Sequence, residues 1–238
     1  MATDTRIFIE VFEDIVESMR STGTITASSE VTTIYTIVSG NDLSEGDLIE
    51  INDINYIAES VTTTQFNITA LTGIDFVGEE WKALAPYSMY GHPREIAGRL
   101  SLLDKKEIEK FGKFPLIVLI TDLEEDHDTE HQGIGYIVNN PKFVIVTNTN
   151  PTYTSPERKE NTFKPILLPL YYDFISKIKQ SNVIQIDGDM FPHKKYDRYA
   201  WGSASVYGNE GLVFNEFLDA VEIDVSAIKL FTPDNICQ

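Results

Sequence analysis

The sequence is short of cysteine, of positive charge and of long apolar runs, and each shortage narrows what the chain can be. One cysteine, Cys237, stands among 238 residues. No disulfide framework and no cysteine-based metal site can form within one copy, which fits a chain folded in a reducing cytoplasm. The longest apolar runs, Pro115–Ile120 and Pro165–Tyr172, fall far below the roughly 20 residues a helix needs to span a bilayer. The opening stretch MATDTRIFIEVFEDIVE carries acids inside its apolar part and no basic leader, so no signal peptide is expected. Lysine and arginine number 19 against 37 acids, a formal net charge of −18. Such a surface repels nucleic-acid phosphates and anionic membranes. Signatures of nucleotide binding and serine hydrolysis are missing as well: no G-x-x-x-x-G-K-[ST], no G-x-G-x-x-G after a strand, no G-x-S-x-G.

What is present is a foldable mixture. Hydrophobic residues make up 42% and aromatics 11%, enough for a packed core. Asp4 to Arg20 reads as an amphipathic helix, with Ile7, Phe8, Val11, Phe12, Ile15, Val16 and Met19 on one stripe. The character changes at Thr22. From Ser21 to Pro86 ten acids face one lysine, and eleven threonines crowd the same stretch. β-branched residues suit a pleated surface. The short runs Ile34–Val38, Leu48–Ile51, Tyr56–Val61, Phe66–Ala70 and Trp81–Leu84, punctuated by turn residues, predict an all-β unit of about five strands, a barrel or sandwich. The first helix needs a partner for its stripe. Residues 21–86 therefore read as an insertion in a discontinuous core domain of residues 1–20 and 87–238.

Within 87–238, Pro93 marks a helix start, and Asp104 with Glu107 marks a second short helix ending near Gly112. Leu116–Ile120 reads as a buried strand, Asp122–Glu130 as a solvated acidic loop, and Gly135–Val138 and Phe143–Thr147 as strands. Ser155-Pro156 caps a helical turn, and Pro165 opens a longer helix through Lys179. Val183–Ile186, Tyr196–Gly202 and Asp219–Leu230 complete the strands, the last with a period of two. The fold class is α+β: a sheet with packed helices, plus the small β insertion.

Two segments could carry chemistry. His127-Asp128-Thr129-Glu130-His131 matches the inverted zinc-peptidase pattern H-x-x-E-H. That chemistry needs both histidines on one face of a stable helix, together with a third ligand. The segment instead lies in a run of like charge close to Gly133 and Gly135, so a solvated loop is expected. The acids Glu124, Glu125, Asp126 and Asp128 lack the glycine an EF-hand loop requires. No catalytic, metal-binding or cofactor-binding residue is assigned. The second segment is basic: His193, Lys194, Lys195 and Arg198 alternate with Tyr196, Tyr199 and Trp201. Arginine, tyrosine and tryptophan are favoured interface anchors. Lys194, Lys195, Arg198, Tyr199 and Trp201 are the candidate subunit-interface residues, against the plainer alternative of an amphipathic strand with its aromatics in the core.

The order of elements is similar to that of a known family: amphipathic helix, central apolar strand, long helix over 165–179, aromatic strand over 196–201, closing strand over 219–230. It resembles the neck and tail-terminator ring proteins of tailed bacteriophages, including those of crAss-like phages. The segments that carry the resemblance are Tyr90–Ile96, Lys113–Ile117, His193–Gly202 and Phe217–Phe231. The resemblance implies a non-enzymatic virion protein, made in the host bacterial cytoplasm and built into the neck or tail. Its implied partners are its own copies, in a homo-oligomeric ring of about six or twelve, and neighbouring portal, connector or tail-tube proteins. It implies no cofactor and no membrane contact, and DNA only as it passes through the ring lumen. The insertion at 21–86 departs from the shorter family members. Two other readings compete: a metal-dependent hydrolase using His127, Glu130 and His131, and an acidic module that binds a basic protein.

Overall fold

The computed structural model describes residues 8–41, 43, 47–103, 114–121, 124–126, 134–186, 191–197 and 218–231. They form a mixed α+β structure divided into two compact units. Residues 8–19 belong with those from Pro86 onward, and Arg20–Ala85 stand as the second unit.

The larger unit is built on a five-stranded sheet. Helix α1 spans Phe8–Glu17. Strand β8 (Tyr87–Gly91) leads into helix α2 (Pro93–Leu103), and β9 (Leu116–Ile120) returns parallel to β8. Strands β12 (Lys142–Asn148) and β15 (Leu218–Asp224) follow antiparallel, and β14 (His193–Tyr196) closes the order β14-β15-β12-β9-β8. Successive strand residues point to opposite faces. Ile117, Leu119, Phe143, Ile145, Val221 and Ile223 therefore pack against the apolar stripe of α1 and against Phe174 and Ile178 of a later helix. Leu116, Val118, Ile120, Val144 and Val146 pack under Ile96, Ala97 and Leu100 of α2 on the other face. Covering both faces is why Leu116–Ile120 is apolar at every position.

A second, four-stranded antiparallel sheet runs β10 (Glu124–Asp126), β11 (Ile134–Asn139), β16 (Ala227–Phe231) and β13 (Ile184–Ile186). The expected single strand over 219–230 is thus two strands in two sheets. The chain turns between them opposite Asn140-Pro141, where the Asn140 amide donates to the Ser226 carbonyl at 2.9 Å. The expected loop over 122–130 is partly strand: Glu124–Asp126 pair antiparallel with Ile137–Asn139, and main-chain pairing overrides the poor strand propensity of acids.

The helical run begins earlier than Pro165. It starts with α3 (Ser155–Arg158), continues as a π-helix over Lys159–Leu167 and ends as α4 (Leu168–Gln180). Pro165 lies inside it. The proline ring crowds the carbonyl four residues back, and a widened i→i+5 register eases that crowding.

Among the described residues the smaller unit is all β, with seven strands where about five were expected. One sheet runs β1 (Thr22–Thr24), β7 (Glu80–Ala83), β4 (Leu48–Ile51), β5 (Ile54–Ile57), and the other β2 (Ala27–Val31), β3 (Ile34–Val38), β6 (Gln65–Thr69). The two sheets enclose Tyr35, Ile37, Ile49, Ile51, Phe66, Ile68, Phe76 and Trp81. They do not close into one barrel ladder, but they share hydrogen bonds at two corners. The Ile25 amide donates to Glu79 while Thr26 donates to Val38, and Glu59 pairs with Asn67. The β4–β5 hairpin turns on Asn52-Asp53, both at positive φ, the geometry a two-residue hairpin requires.

Candidate subunit interface

Strand β14 lies at the end of the five-stranded sheet order and carries the described part of the basic segment. The strand forms at His193–Tyr196; of the strand expected over 196–202, residues 198–202 lie outside the described residues. Arg198, Tyr199 and Trp201 lie outside the described residues, as do His127, Glu130 and His131 of the zinc-peptidase-like pattern.

The register sets Lys194 opposite Glu222 and Lys195 opposite Val221. Directly opposed residues share a face, so Lys194 meets the acids of β15. Its Nζ donates to Asp224 Oδ2 at 3.1 Å and lies 3.8 Å from Glu222 Oε1. From the other side of β15, Lys142 Nζ stands 3.4 Å from Glu222 Oε1 and 3.5 Å from Asp224 Oδ1. The Tyr196 hydroxyl donates to Glu222 Oε1 at 3.4 Å. Two lysines thus bracket two carboxylates. The hydrogen bond to Asp224, followed by the Asp224, Tyr196 and Glu222 charges, raises the Lys194 ammonium above its ordinary value. Lys194 is therefore a tie within the sheet as much as a surface cation, whereas Lys195 is exposed.

An aromatic group adjoins the strand. The Tyr171 ring lies 4.4 Å from the His193 ring and 5.2 Å from that of Tyr172, which is largely exposed. The Tyr171 hydroxyl donates to the Phe191 carbonyl at 3.0 Å, and Lys179 Nζ sits 5.4 Å above the Phe191 ring. Burial, then Tyr172, pushes the Tyr171 phenol up. A mixed surface of cations and aromatics at a sheet edge suits protein contact.

A buried polar group was not foreseen. At the end of α3, Arg158 turns inward and donates from Nη1 to Asp219 Oδ1 at 2.6 Å, from Nε to the Tyr153 carbonyl at 3.1 Å and from Nη2 to the Asn150 carbonyl at 3.3 Å. Both ionic side chains are essentially without solvent contact. Thr149 and Thr162 hydroxyls approach to 3.3 Å nearby. The sequence signal was weak: Asp219 is a lone acid within the apolar run Phe217–Val221, and Arg158 is hidden in a charged run.

Among the described residues, no group of three or more histidines, cysteines or acids is placed to hold a metal ion, and no helix is long and apolar enough to cross a membrane. No protein-family model matches the sequence, and no curated protein matches it.

Proposed function

We propose that the chain is a structural protein of a tailed-phage virion, one subunit of an oligomeric ring at the head–tail neck that joins portal or connector to tail. The observation that carries this reading is the basic strand β14 at the end of a sheet in a chain of net charge −18. Like-charged copies repel, so self-assembly needs a local surface where attraction wins. A ring brings two different patches of neighbouring subunits together, and Lys195 with the His193–Tyr171–Tyr172 aromatics supplies one of them. Further support comes from the order α1, β9, α4, β15, which follows the order of amphipathic helix, apolar strand, long helix and closing strand in the resemblance to neck and tail-terminator proteins.

Native mass measurement and negative-stain imaging of the purified chain test the proposal. The expected result is a closed ring of uniform copy number that loosens as salt rises, because screening weakens exposed charge pairs. A monomer at micromolar concentration overturns it.

A further inference from the structure

Two strands of the larger unit end their sheets with main-chain groups turned outward. In an antiparallel ladder, one residue gives both its N–H and its C=O to one neighbouring strand, and the next residue gives both to the other side. The Asp224 amide donates to the Pro192 carbonyl at 3.2 Å, and the Val225 amide to the Pro141 carbonyl at 3.3 Å. These two bonds fix the alternation along β15. Asp224, Glu222 and Ala220 address β14, while Ile223 and Val221 address β12. Within β14, Lys194 and Tyr196 therefore bond to β15, and the N–H and C=O groups of His193 and Lys195 point away from the sheet. The same reasoning applies to β13. The Asn140 bond to Ser226 turns Ser226 and Ile228 toward β11, so Lys229 addresses Gln185. The main-chain groups of Ile184 and Ile186 then point outward. Among the described residues, no strand pairs with either outer edge.

We infer that the β14 edge of one copy takes the β13 edge of a second copy as its next strand. The two edges fit in spacing. Each presents alternate residues, two apart in sequence. Antiparallel pairing sets Ile186 against His193 and Ile184 against Lys195, and each of these pairs exchanges both main-chain bonds. Gln185 then lies opposite Lys194.

The side chains fit as well. Directly opposed residues share a face. Ile184 and Ile186 face the same apolar core as Ile178 of α4. Lys195 lies opposite Val221 of that core, and the His193 ring lies 4.4 Å from Tyr171 of α4. The joined sheet therefore keeps the α4 helices of both copies on one face. It brings the half-buried Ile186 beside the His193–Tyr171 rings. Charge selects the occupant. Pairing β14 with itself would set lysines against one another, and edge lysines guard a strand against its own kind. Ile184–Ile186 brings no charge to Lys194 and Lys195. The contact uses two different edges, as a ring requires. The inference rests on the proposed self-assembly and names the strands that carry it.

The test is disulfide trapping in a Cys237→Ser background. Gln185 and Lys194 would stand about 4.5 Å apart between their Cα atoms, within the span of a disulfide. The full chain carrying Gln185→Cys and Lys194→Cys should give a ladder of covalent multimers on mild oxidation, read by non-reducing denaturing electrophoresis. Neither single-cysteine variant should cross-link. Products that stop at the pair keep this contact, made reciprocally, and overturn the ring. Pairs formed by Gln185→Cys alone show β13 meeting itself and overturn the contact. A double variant that keeps the parent's native mass and gives no ladder overturns the contact and leaves the ring standing. A monomeric parent overturns both. A second variant covers loss of assembly by the cysteines themselves. Lys195→Pro removes an outward N–H and no bond to β15. With its fold verified by circular dichroism, it should form at least tenfold less of the parent assembly, and a Lys195→Pro protein of parent mass overturns the contact.

Discussion

Arg158 and Asp219 meet at 2.6 Å with 1% and 0% of their side chains exposed, joining the end of α3 to the start of β15. Sixty-one residues separate them in the chain, so the pair fastens the helical run to the central sheet. Two charges taken from water lose hydration, and their attraction offsets that loss only while both are present. Arg158→Met should therefore destabilise the larger unit by about 3–5 kcal/mol, because Asp219 is left as a buried charge. Arg158→Met with Asp219→Leu should cost clearly less than the sum of the single changes. Urea denaturation of the four proteins measures the coupling, and additive losses would show that the pair is not coupled.

The smaller unit has a comparable point of close fit at Gly23, Ser39 and Trp81. Gly23 sits opposite Trp81 in the β1–β7 register, and the buried indole N–H donates to Ser39 Oγ at 2.8 Å. A Cβ on Gly23 would lie 2.6 Å from Trp81 Nε1 and 2.9 Å from Ser39 Oγ. Gly23→Ala should cost about 1–3 kcal/mol through overpacking. Ser39→Ala should cost about 1–3 kcal/mol by leaving the indole donor unmet. Tryptophan fluorescence during denaturation follows both, best in a Trp201→Phe background so that Trp81 alone reports.

What the sequence revealed depended on how far each signal is local. Leu116–Ile120 was legible as a buried strand because helices cover both faces, so every position is apolar. Ile34–Val38 and Leu48–Ile51 were legible to the residue, since alternate positions are buried. Strands β1 and β2, TGT and ASSEV, were not, because they are mostly exposed and have no apolar period. β8 was missed for a similar reason: YSMYG is half-buried along most of its length. The break between β15 and β16 left no mark on the alternation of Val221, Ile223 and Val225. Its cause sits across the sheet at Asn140-Pro141. The basic segment was readable as composition, and Lys194 and Lys195 do share strand β14. That Lys194 is bound to Asp224, thirty residues on, is a matter of strand pairing and could not be read locally.

The start of the helical run should respond to acid. The Thr154 amide and hydroxyl each donate to Glu157 Oε2 at 2.8 Å. These hydrogen bonds, the backbone one first, hold the Glu157 carboxyl below its ordinary value of 4.5. A carboxyl with a lowered folded-state pKa adds stability that is present above the unfolded value and is lost as pH falls through the folded one. Glu157→Gln should therefore lower the melting temperature at pH 7. The gap between parent and variant should narrow as pH falls below 4.5 and through the lowered folded-state value. Thermal melts from pH 7 to pH 3 measure it, and a gap independent of pH would rule out this role for the carboxylate.

Lys194 and Lys195 are neighbours on one strand, yet they should behave differently when reversed in charge. Lys194 is tied to Asp224 and Glu222 of its own chain, so Lys194→Glu places a third carboxylate beside two others. That change should lower the melting temperature of the isolated subunit. Alkali should act in the same direction. The raised ammonium contributes stability below its ordinary 10.5, lost as pH rises through the raised value. Lys195 is exposed and opposite Val221, so Lys195→Glu should leave the melting temperature unchanged. If β14 forms part of a ring contact, Lys195→Glu should still reduce assembly, and more strongly at low salt, where the exposed charge is least screened. Melting curves and native mass at two salt concentrations separate the roles. Assembly lost with Lys195→Glu at constant melting temperature assigns β14 to the contact. Assembly lost only with Lys194→Glu, in step with melting temperature, makes β14 a sheet edge held by its own acids, and the ring contact must then lie elsewhere.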